Sequence, residues 1–264
     1  MNHHIPCPAA NGFNRVLDIG DNGMAMTGFG LVKLTAGEAH SANSAGNEIV
    51  LVVLGGKCTV TAGGTDFGEI GARADVFSGY PYTVYVPPGF TYTIAATIDV
   101  EVAVCESPCE RSGKPSLVTP DQVESTFMRI GKDNFTRDAI VMIGDDFPTQ
   151  HFFIGEAWVP SGNWASYPPH RHDTENPPDE IDMEEIYFFR FDRPGGFGIQ
   201  KVYTDDLSTD AAYTVREDDT IAIPEGYHPV VTAPGYTMYY LWIMTGNSRG
   251  FISHKDAAHA AAVE

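Results

Sequence analysis

The 264-residue sequence has few basic residues, no long apolar run and no C-x-x-C cysteine pair. Lys and Arg number 16 against 35 Asp and Glu, so the formal net charge is −19. Phosphate groups are bound by clustered basic side chains, so this balance argues against nucleic acid and anionic membranes as partners. No apolar stretch approaches the roughly 20 residues of a membrane-spanning helix. The first residues, MNHHIP, lack the basic and apolar regions of a signal peptide, and we therefore expect a cytoplasmic protein.

The cysteines also argue against a protein held together by disulfides. Cys7, Cys58, Cys105 and Cys109 form no C-x-x-C motif. A chain of this length builds its core without such bridges, so free thiols are the expectation. A disulfide or a pair of metal ligands at Cys105 and Cys109 is the alternative.

Short runs rich in β-branched and aromatic residues recur along the chain, bounded by Gly, Pro, Asn and Asp, and such runs are typical of β-strands. They are Ile49–Leu54, Thr83–Val86, Val100–Val104, Ile186–Phe191, Thr220–Ile223 and Thr237–Met244. Helical periodicity is scarce. One candidate helix is Thr119–Phe127, with Thr119 as N-cap and Pro120 at the first helical position, and the other is the tail Lys255–Val263. The sequence predicts an all-β fold of the sandwich or barrel type with few short helices.

The two halves of the chain share one spacing. Glu48 heads the run EIVLVVLGG, and Glu185 heads EIYFFRFDR. Pro87, in the turn VPPGF, lies 39 positions after Glu48, and Pro224, in IPEGY, lies 39 positions after Glu185. We interpret this offset of 137 as the duplication of one β-domain. The predicted divisions are an N-terminal domain without a metal site at 1–113, a connector at 114–130 and a metal-binding C-terminal domain at 131–264.

Residues that commonly bind metals cluster in the second half. His170 and His172 flank Arg171, and on an extended chain alternate side chains project to the same side. With a carboxylate and the later His228 they form a set that suits one divalent transition metal, Zn, Mn or Fe, and leaves positions open for water or substrate. Thr91 stands at the place of His228 in the first half, so only the second half is predicted to bind metal.

Several carboxylates are candidates for completing this set. Glu175 is nearest in sequence, but Asn-Pro-Pro follows it, which indicates a loop. Glu185 heads a strand at the position that repeats as Glu48, so we expect Glu185 to be the ligand. Glu184 would point to the opposite face and is the alternative. Glu48 is expected to be a structural carboxylate, hydrogen-bonded inside a barrel.

Five segments resemble the 5-deoxy-glucuronate isomerase family of inositol catabolism. They are ADVFSGYPYTVYVPPG (74–89), GNWASYPPHRHD (162–173), MEEIYFFR (183–190), GFGIQKVYTDD (196–206) and IPEGYHPV (223–230). The resemblance implies a bicupin, which has two tandem cupin-type β-barrels, and an aldose–ketose isomerase that converts 5-deoxy-glucuronate to 5-dehydro-2-deoxy-gluconate. It also implies that His170, His172, Glu185 and His228 are the metal ligands. Twelve residues separate His172 from Glu185, which fits this family better than the general cupin pattern.

Aldose–ketose isomerisation moves a proton between adjacent carbons through an enediolate, whose negative charge a divalent metal stabilises. The candidates for proton transfer, judged by their position on the strands around Glu185, are Tyr187, Gln200 and Lys201. The candidates for substrate binding are Arg171, Tyr203 and Tyr240. Lys201 or Arg171 is expected to pair with the substrate carboxylate.

The alternatives are another metallo-bicupin enzyme, such as a dioxygenase or a related uronate ketol-isomerase, and a sugar-acid-binding cupin without catalysis. The expected partner is a small anionic sugar acid, and a homo-oligomer is expected because bicupins often associate. An anionic substrate in so acidic a protein requires a locally positive pocket. The cations that the sequence offers for it are Arg171, Arg190 and Lys201.

Overall fold

Strands dominate the computed structural model, which describes residues 3–7 and 10–263. The strands before residue 119 are β1 (His4–Pro6), β2 (Gly12–Leu17), β3 (Gly28–Leu34), β4 (Ala39–Asn43), β5 (Asn47–Ala62), β6 (Thr65–Ile70), β7 (Thr83–Val86), β8 (Thr91–Pro108) and β9 (Ser116–Val118). Those after it are β10 (Met128–Ile130), β11 (Arg137–Ile143), β12 (Phe152–Val159), β13 (Trp164–Ala165), β14 (His170–Arg171), β15 (Met183–Phe191), β16 (Gly198–Tyr203), β17 (Asp210–Val215), β18 (Asp219–Ile223), β19 (Val230–Thr232), β20 (Met238–Gly246) and β21 (His254–Lys255). The helical segments are a 3₁₀ turn (Asp21–Gly23), α1 (Pro120–Glu124) and α2 (Ala257–Ala261). The all-β prediction is confirmed, and no described helix is long and apolar enough to cross a membrane.

Apart from β1, the strands of each half of the chain pair within that half, in antiparallel sheets. The first half forms one sheet in the order β2-β3-β8-β5-β7-β9, with β4 beside β8 and β6 beside β5. The second forms a seven-stranded sheet, β1-β18-β15-β20-β12-β11-β10, a four-stranded sheet, β13-β19-β16-β17, and the pair β14-β21. Strand pairing crosses the predicted divisions, because β1 of the N-terminal domain pairs with β18 of the C-terminal domain. The predicted connector contains β9, which pairs with β7 of the first half, and β10, which pairs with β11 of the second. The exact domain boundaries therefore stay a prediction.

The strand register repeats between the halves. Glu48 of β5 is opposite Ser107 of β8, and Glu185 of β15 is opposite Met244 of β20. Both members of the second pair lie 137 positions after their counterparts. The spacing found in the sequence therefore corresponds to equivalent central strands.

The central strands are buried on both faces, which explains their continuous apolar runs. On β5, Val50 and Val52 belong to a core shared with the second half, whereas Ile49 and Leu51 fill the interior of the first barrel. The same alternation holds on β15, where Phe188 faces the shared core. Apolar side chains thus occupy the interior of the first barrel.

Polar contacts between the halves are made by buried carboxylates. Arg73 and Glu156 form a bidentate ion pair, with Nη2–Oε1 and Nη1–Oε2 distances of 2.6 and 2.9 Å. Glu48 accepts hydrogen bonds from the backbone N–H groups of Gln150 and His151, each at 2.8 Å. Glu48 is therefore a structural carboxylate, as expected, but it ties the two halves together.

Both helices are shorter than predicted. The Thr119 backbone N–H donates to the Gln122 side chain at 2.9 Å, so α1 begins where expected. It ends early because the Ser125 and Thr126 hydroxyl groups bond back to backbone carbonyls. At the tail, residues 254–255 form β21 against β14, and α2 begins only after Asp256. This pairing brings the C-terminal segment beside the histidines.

All four cysteines are buried and free. The disulfide alternative for Cys105 and Cys109 is therefore wrong, because Cys105 lies inside β8 whereas the Cys109 thiol donates to Gln150.

Candidate metal centre

Three histidines converge inside the second barrel. His170 lies on β14, His172 follows it after one residue, and His228 precedes β19. Their candidate ligand nitrogens all lie within 4.8 Å of one another. The alternation of an extended chain brings His170 and His172 to the same side, and the His228 ring lies 4.9 and 5.1 Å from theirs between centroids.

Glu185 faces these histidines from β15. Its Oε2 atom lies 3.2 Å from Nε2 of His172 and 3.1 Å from Nε2 of His228. Ligand atoms that share one ion at about 2.1 Å are about 3.0–3.4 Å apart in octahedral or tetrahedral geometry. The spacing of these three atoms therefore suits a shared metal ion.

The hydrogen bonds of the rings decide which nitrogen is available. Nδ1 of His172 lies 2.6 Å from the Met183 carbonyl, and Nδ1 of His228 lies 2.9 Å from the Gly226 carbonyl. Because a carbonyl only accepts, each Nδ1 carries a hydrogen, and each Nε2 faces Glu185. Lone pairs of nitrogen and carboxylate oxygen face each other favourably only across a proton or a metal ion. Nε2 of His228 is buried without a hydrogen-bond partner among the described residues, so the donor set fits a divalent cation.

The electrostatics of the cluster favour an ionised carboxylate. Burial acts to raise the pKa of Glu185, but the adjacent imidazoles of His172 and His228 outweigh it and lower the pKa to about 2. For His170, burial and the two neighbouring imidazoles lower the pKa well below 6.5, which keeps this ring neutral and able to bind a metal.

The long insertion between His172 and Glu185 folds away from the cluster. Asn176 and Glu180 form a bridge within it, and the Asp173 backbone N–H donates to the Glu180 side chain at 2.9 Å. The chain then returns so that the Met183 N–H donates to the carbonyl of His172 at 2.8 Å. Glu185 thereby arrives beside the imidazole of His172.

A cavity of about 450 Å³ opens on this cluster. The rings of Tyr187 and Tyr240 stack in its wall with centroids 4.4 Å apart, and the Tyr187 hydroxyl shares a 2.7 Å hydrogen bond with Ser166. Trp242 and Phe251 also line it. Two of the predicted residues, Tyr187 and Tyr240, thus line the cavity beside the histidine cluster.

Gln200, a third predicted residue, does not line the cavity, and its side chain contacts the backbone of His228 instead. It is fully buried, and its Nε2 donates to the carbonyls of His228 and Pro229 at 2.6 and 3.2 Å. The amide therefore holds the segment that carries the His228 imidazole.

Three other predicted site residues have partners away from the cavity lining. Lys201 pairs with Asp210 because it points to the opposite side of β16 from Gln200. Arg171 points away from the histidines that flank it and pairs with Asp173. The Tyr203 hydroxyl donates to Asp256 at 2.7 Å. These placements argue against the predicted substrate contacts of Arg171 and Tyr203 and against proton transfer by Lys201.

Several residues that line the cavity are not among those predicted from the sequence. They are Arg137 on β11, Ser166, and the segment that includes Phe251 and Lys255. No motif marks Arg137, and Ser166 lies within the family-like segment 162–173, where nothing distinguishes it from its neighbours. The segment that ends in Lys255 reaches the cavity through the β14–β21 pairing, which the predicted tail helix obscured.

Comparison with known proteins agrees with this architecture. The model of the KduI/IolB family matches residues 4–262. A 5-deoxy-glucuronate isomerase from Geobacillus kaustophilus is 37% identical over 92% of this chain and 87% of its own, and one from Bacillus subtilis strain 168 is 35% identical over 89% and 87%.

Solved structures superpose on the whole chain. An IolB-like protein from Salmonella typhimurium LT2 superposes with a TM-score of 0.94 at 32% identity, over 99% of each chain. An oxalate decarboxylase from Lactobacillus farciminis superposes with a TM-score of 0.69 at 12% identity, over 100% of this chain and 91% of its own, which supports the bicupin fold alone. The chain belongs to the KduI/IolB family and is an enzyme of the isomerase class.

Proposed function

We propose that this enzyme converts 5-deoxy-glucuronate to 5-dehydro-2-deoxy-gluconate with one divalent transition metal held by His170, His172, Glu185 and His228. The observation that carries the proposal is the pair of Nε2 atoms directed at one carboxylate oxygen beside the cavity of about 450 Å³. The choice of substrate is based on the relatives named 5-deoxy-glucuronate isomerase, which match about nine-tenths of the chain.

The donor set is compatible with Zn, Mn or Fe, because imidazole and carboxylate suit all three. When bound, such an ion supplies Lewis-acid stabilisation of the negative charge that develops on oxygen during enolisation. The protein must then position the sugar, exclude bulk water and manage the proton.

Tyr187 is suited to hold a proton close to the histidine cluster. Burial, together with the charge of Glu185, raises its pKa well above 10, so the hydroxyl stays protonated. Its hydrogen bond with Ser166 fixes the position of the oxygen. We assign Tyr187 as a hydrogen-bond donor or acid toward a substrate oxygen, and its buried phenol is a poor base.

Removal of one imidazole tests the metal and the activity together. His228→Ala should lose bound metal and isomerase activity toward 5-deoxy-glucuronate while circular dichroism still reports the β fold. The control is Thr91→Ala, at the equivalent exposed position of the first half, which should keep both. A metal-free His228→Ala protein with full activity would refute the proposal. Metal binding by the wild type without turnover would instead indicate a binding cupin.

A further inference from the structure

The cavity of the second barrel contains a positive charge without a partner among the described residues. Arg137 is half-buried on β11 and lines the cavity together with His170 and Tyr187. The chain has ten arginines. Those whose guanidinium groups bond to carboxylates or backbone carbonyls are Arg15, Arg73, Arg111, Arg129, Arg171, Arg190, Arg193 and Arg249. The side chain of Arg216 also has no partner among the described residues, but it is exposed to water.

An unpaired guanidinium inside a cavity is costly, because partial burial removes water that would solvate it. In a chain with 35 acidic residues and 16 basic ones, a carboxylate partner within the protein would be easy to supply. The charge of Arg137 reaches the cavity wall: burial raises the pKa of Tyr240, and Arg137 is the main influence that opposes this rise. The guanidinium group of Arg137 is therefore available to bind an anion that enters the cavity.

The three cations that the sequence offers for the substrate form ion pairs within the protein. Arg171 and Lys201 pair with acidic residues, and Arg190 pairs with Glu101 away from the cavity lining. Among the described residues, the cations that line the cavity are Arg137 and the exposed Lys255.

We propose that Arg137 binds the carboxylate of the sugar-acid substrate and so selects acids over neutral sugars. A planar guanidinium accommodates a carboxylate through two parallel N–H···O bonds, which fixes orientation as well as charge. The substrate carboxylate at Arg137 would place the opposite, carbonyl-bearing end of the sugar nearer to the histidine cluster. Because the identity of the substrate comes from the proposed function, this assignment rests on it.

The test compares metal-loaded wild type with Arg137→Gln, Arg137→Lys and the matched surface control Arg216→Gln. We expect Arg137→Gln to raise KM for 5-deoxy-glucuronate about 10- to 100-fold, the loss typical of one charged hydrogen-bonding partner, with unchanged metal content. The KM of Arg137→Lys should lie between those of wild type and Arg137→Gln, and the KM of Arg216→Gln should equal that of wild type.

Calorimetric titration separates charge recognition from catalysis. D-glucuronate and D-glucose are the probes, since they differ in having a carboxylate or a hydroxymethyl group at C6. Arg137→Gln should weaken only the glucuronate complex. An unchanged KM and glucuronate affinity, or equal losses for both sugars, would overturn the assignment. Arg137-dependent glucuronate binding by a wild type that does not isomerise 5-deoxy-glucuronate would refute the proposed function and leave Arg137 as a carboxylate site.

Discussion

Glu184 and Glu185 are adjacent on β15, and their carboxylates point in opposite directions. Glu185 faces the histidines inside the barrel. Glu184 accepts hydrogen bonds from the backbone N–H groups of Ala25, Met26 and Thr27 at 2.6–2.8 Å. One carboxylate therefore anchors a segment of the other half of the chain, while its neighbour faces the histidines that we propose as metal ligands.

This arrangement predicts different results for the same substitution at the two positions. Glu184→Gln should lower the free energy of unfolding by about 1–3 kcal/mol, because a charged acceptor of three N–H groups is weakened. It should keep its metal, whereas Glu185→Gln should lose it. Denaturant titration and metal analysis of the two purified proteins measure these effects. A folded Glu184→Gln protein without metal would contradict the distinction.

The strand pattern and the histidine cluster were accessible from the sequence because each depends on local alternation. Ile49–Leu54 is apolar at every position, and Ile186–Phe191 is apolar except at Arg190, since both faces of β5 and β15 are covered. His170 and His172 share a side for the same reason, and Glu185 repeats the register of Glu48.

The remaining site residues depend on contacts between distant segments. Arg171 and Lys201 looked like substrate cations, but nearby acidic residues pair with them. Arg137 carries no motif, and its importance comes from the lack of an acidic partner, which only the three-dimensional arrangement reveals. The C-terminal strand β21 reaches the site by pairing with β14, and its two residues are too few for a periodic signal.

Gln200 is predicted to position His228 rather than to take part in proton transfer. Gln200→Ala removes the amide that donates to the carbonyls of His228 and Pro229. Loss of such an outer contact typically lowers metal affinity about 10- to 100-fold. Competition with a metal chelator measures this change. The neighbouring Lys201→Gln, at the exposed pair with Asp210, is the control and should bind metal as wild type does; equal affinities for all three proteins would argue against this role.

The hydrogen bond from Tyr203 to Asp256 is predicted to stabilise the C-terminal segment in a pH-dependent manner. Burial acts to raise the pKa of Asp256, but hydrogen bonds from Tyr203 and from backbone N–H groups outweigh it and lower the pKa below 3.8. A lowered carboxyl pKa means that the contribution is complete above the ordinary value and is lost as the pH falls through the lowered value. Tyr203→Phe should therefore cost about 1 kcal/mol at pH 7 and progressively less below pH ~4.

Denaturant titrations of wild type and Tyr203→Phe at pH 7 and pH 3 measure that difference. Tyr227→Phe is the matched control, because the Tyr227 ring stacks on Tyr203 while its hydroxyl donates to Asp205, which is largely exposed. Tyr227→Phe should lower the free energy of unfolding at pH 7 by less than Tyr203→Phe does. A Tyr203→Phe deficit that stays constant across this pH range would exclude the ionised Asp256 as its source.

The Tyr187 hydroxyl is predicted to contribute to the chemical step. Tyr187→Phe keeps the ring that stacks on Tyr240 and removes the oxygen that is hydrogen-bonded to Ser166. If that oxygen donates a proton or hydrogen bond in the transition state, kcat should fall about 10²- to 10⁴-fold while KM and metal content change little. Ser166→Ala, which only loosens the hydroxyl, should cost less. Steady-state kinetics with 5-deoxy-glucuronate decide the matter, since a wild-type kcat in Tyr187→Phe would leave the phenol with a packing role alone.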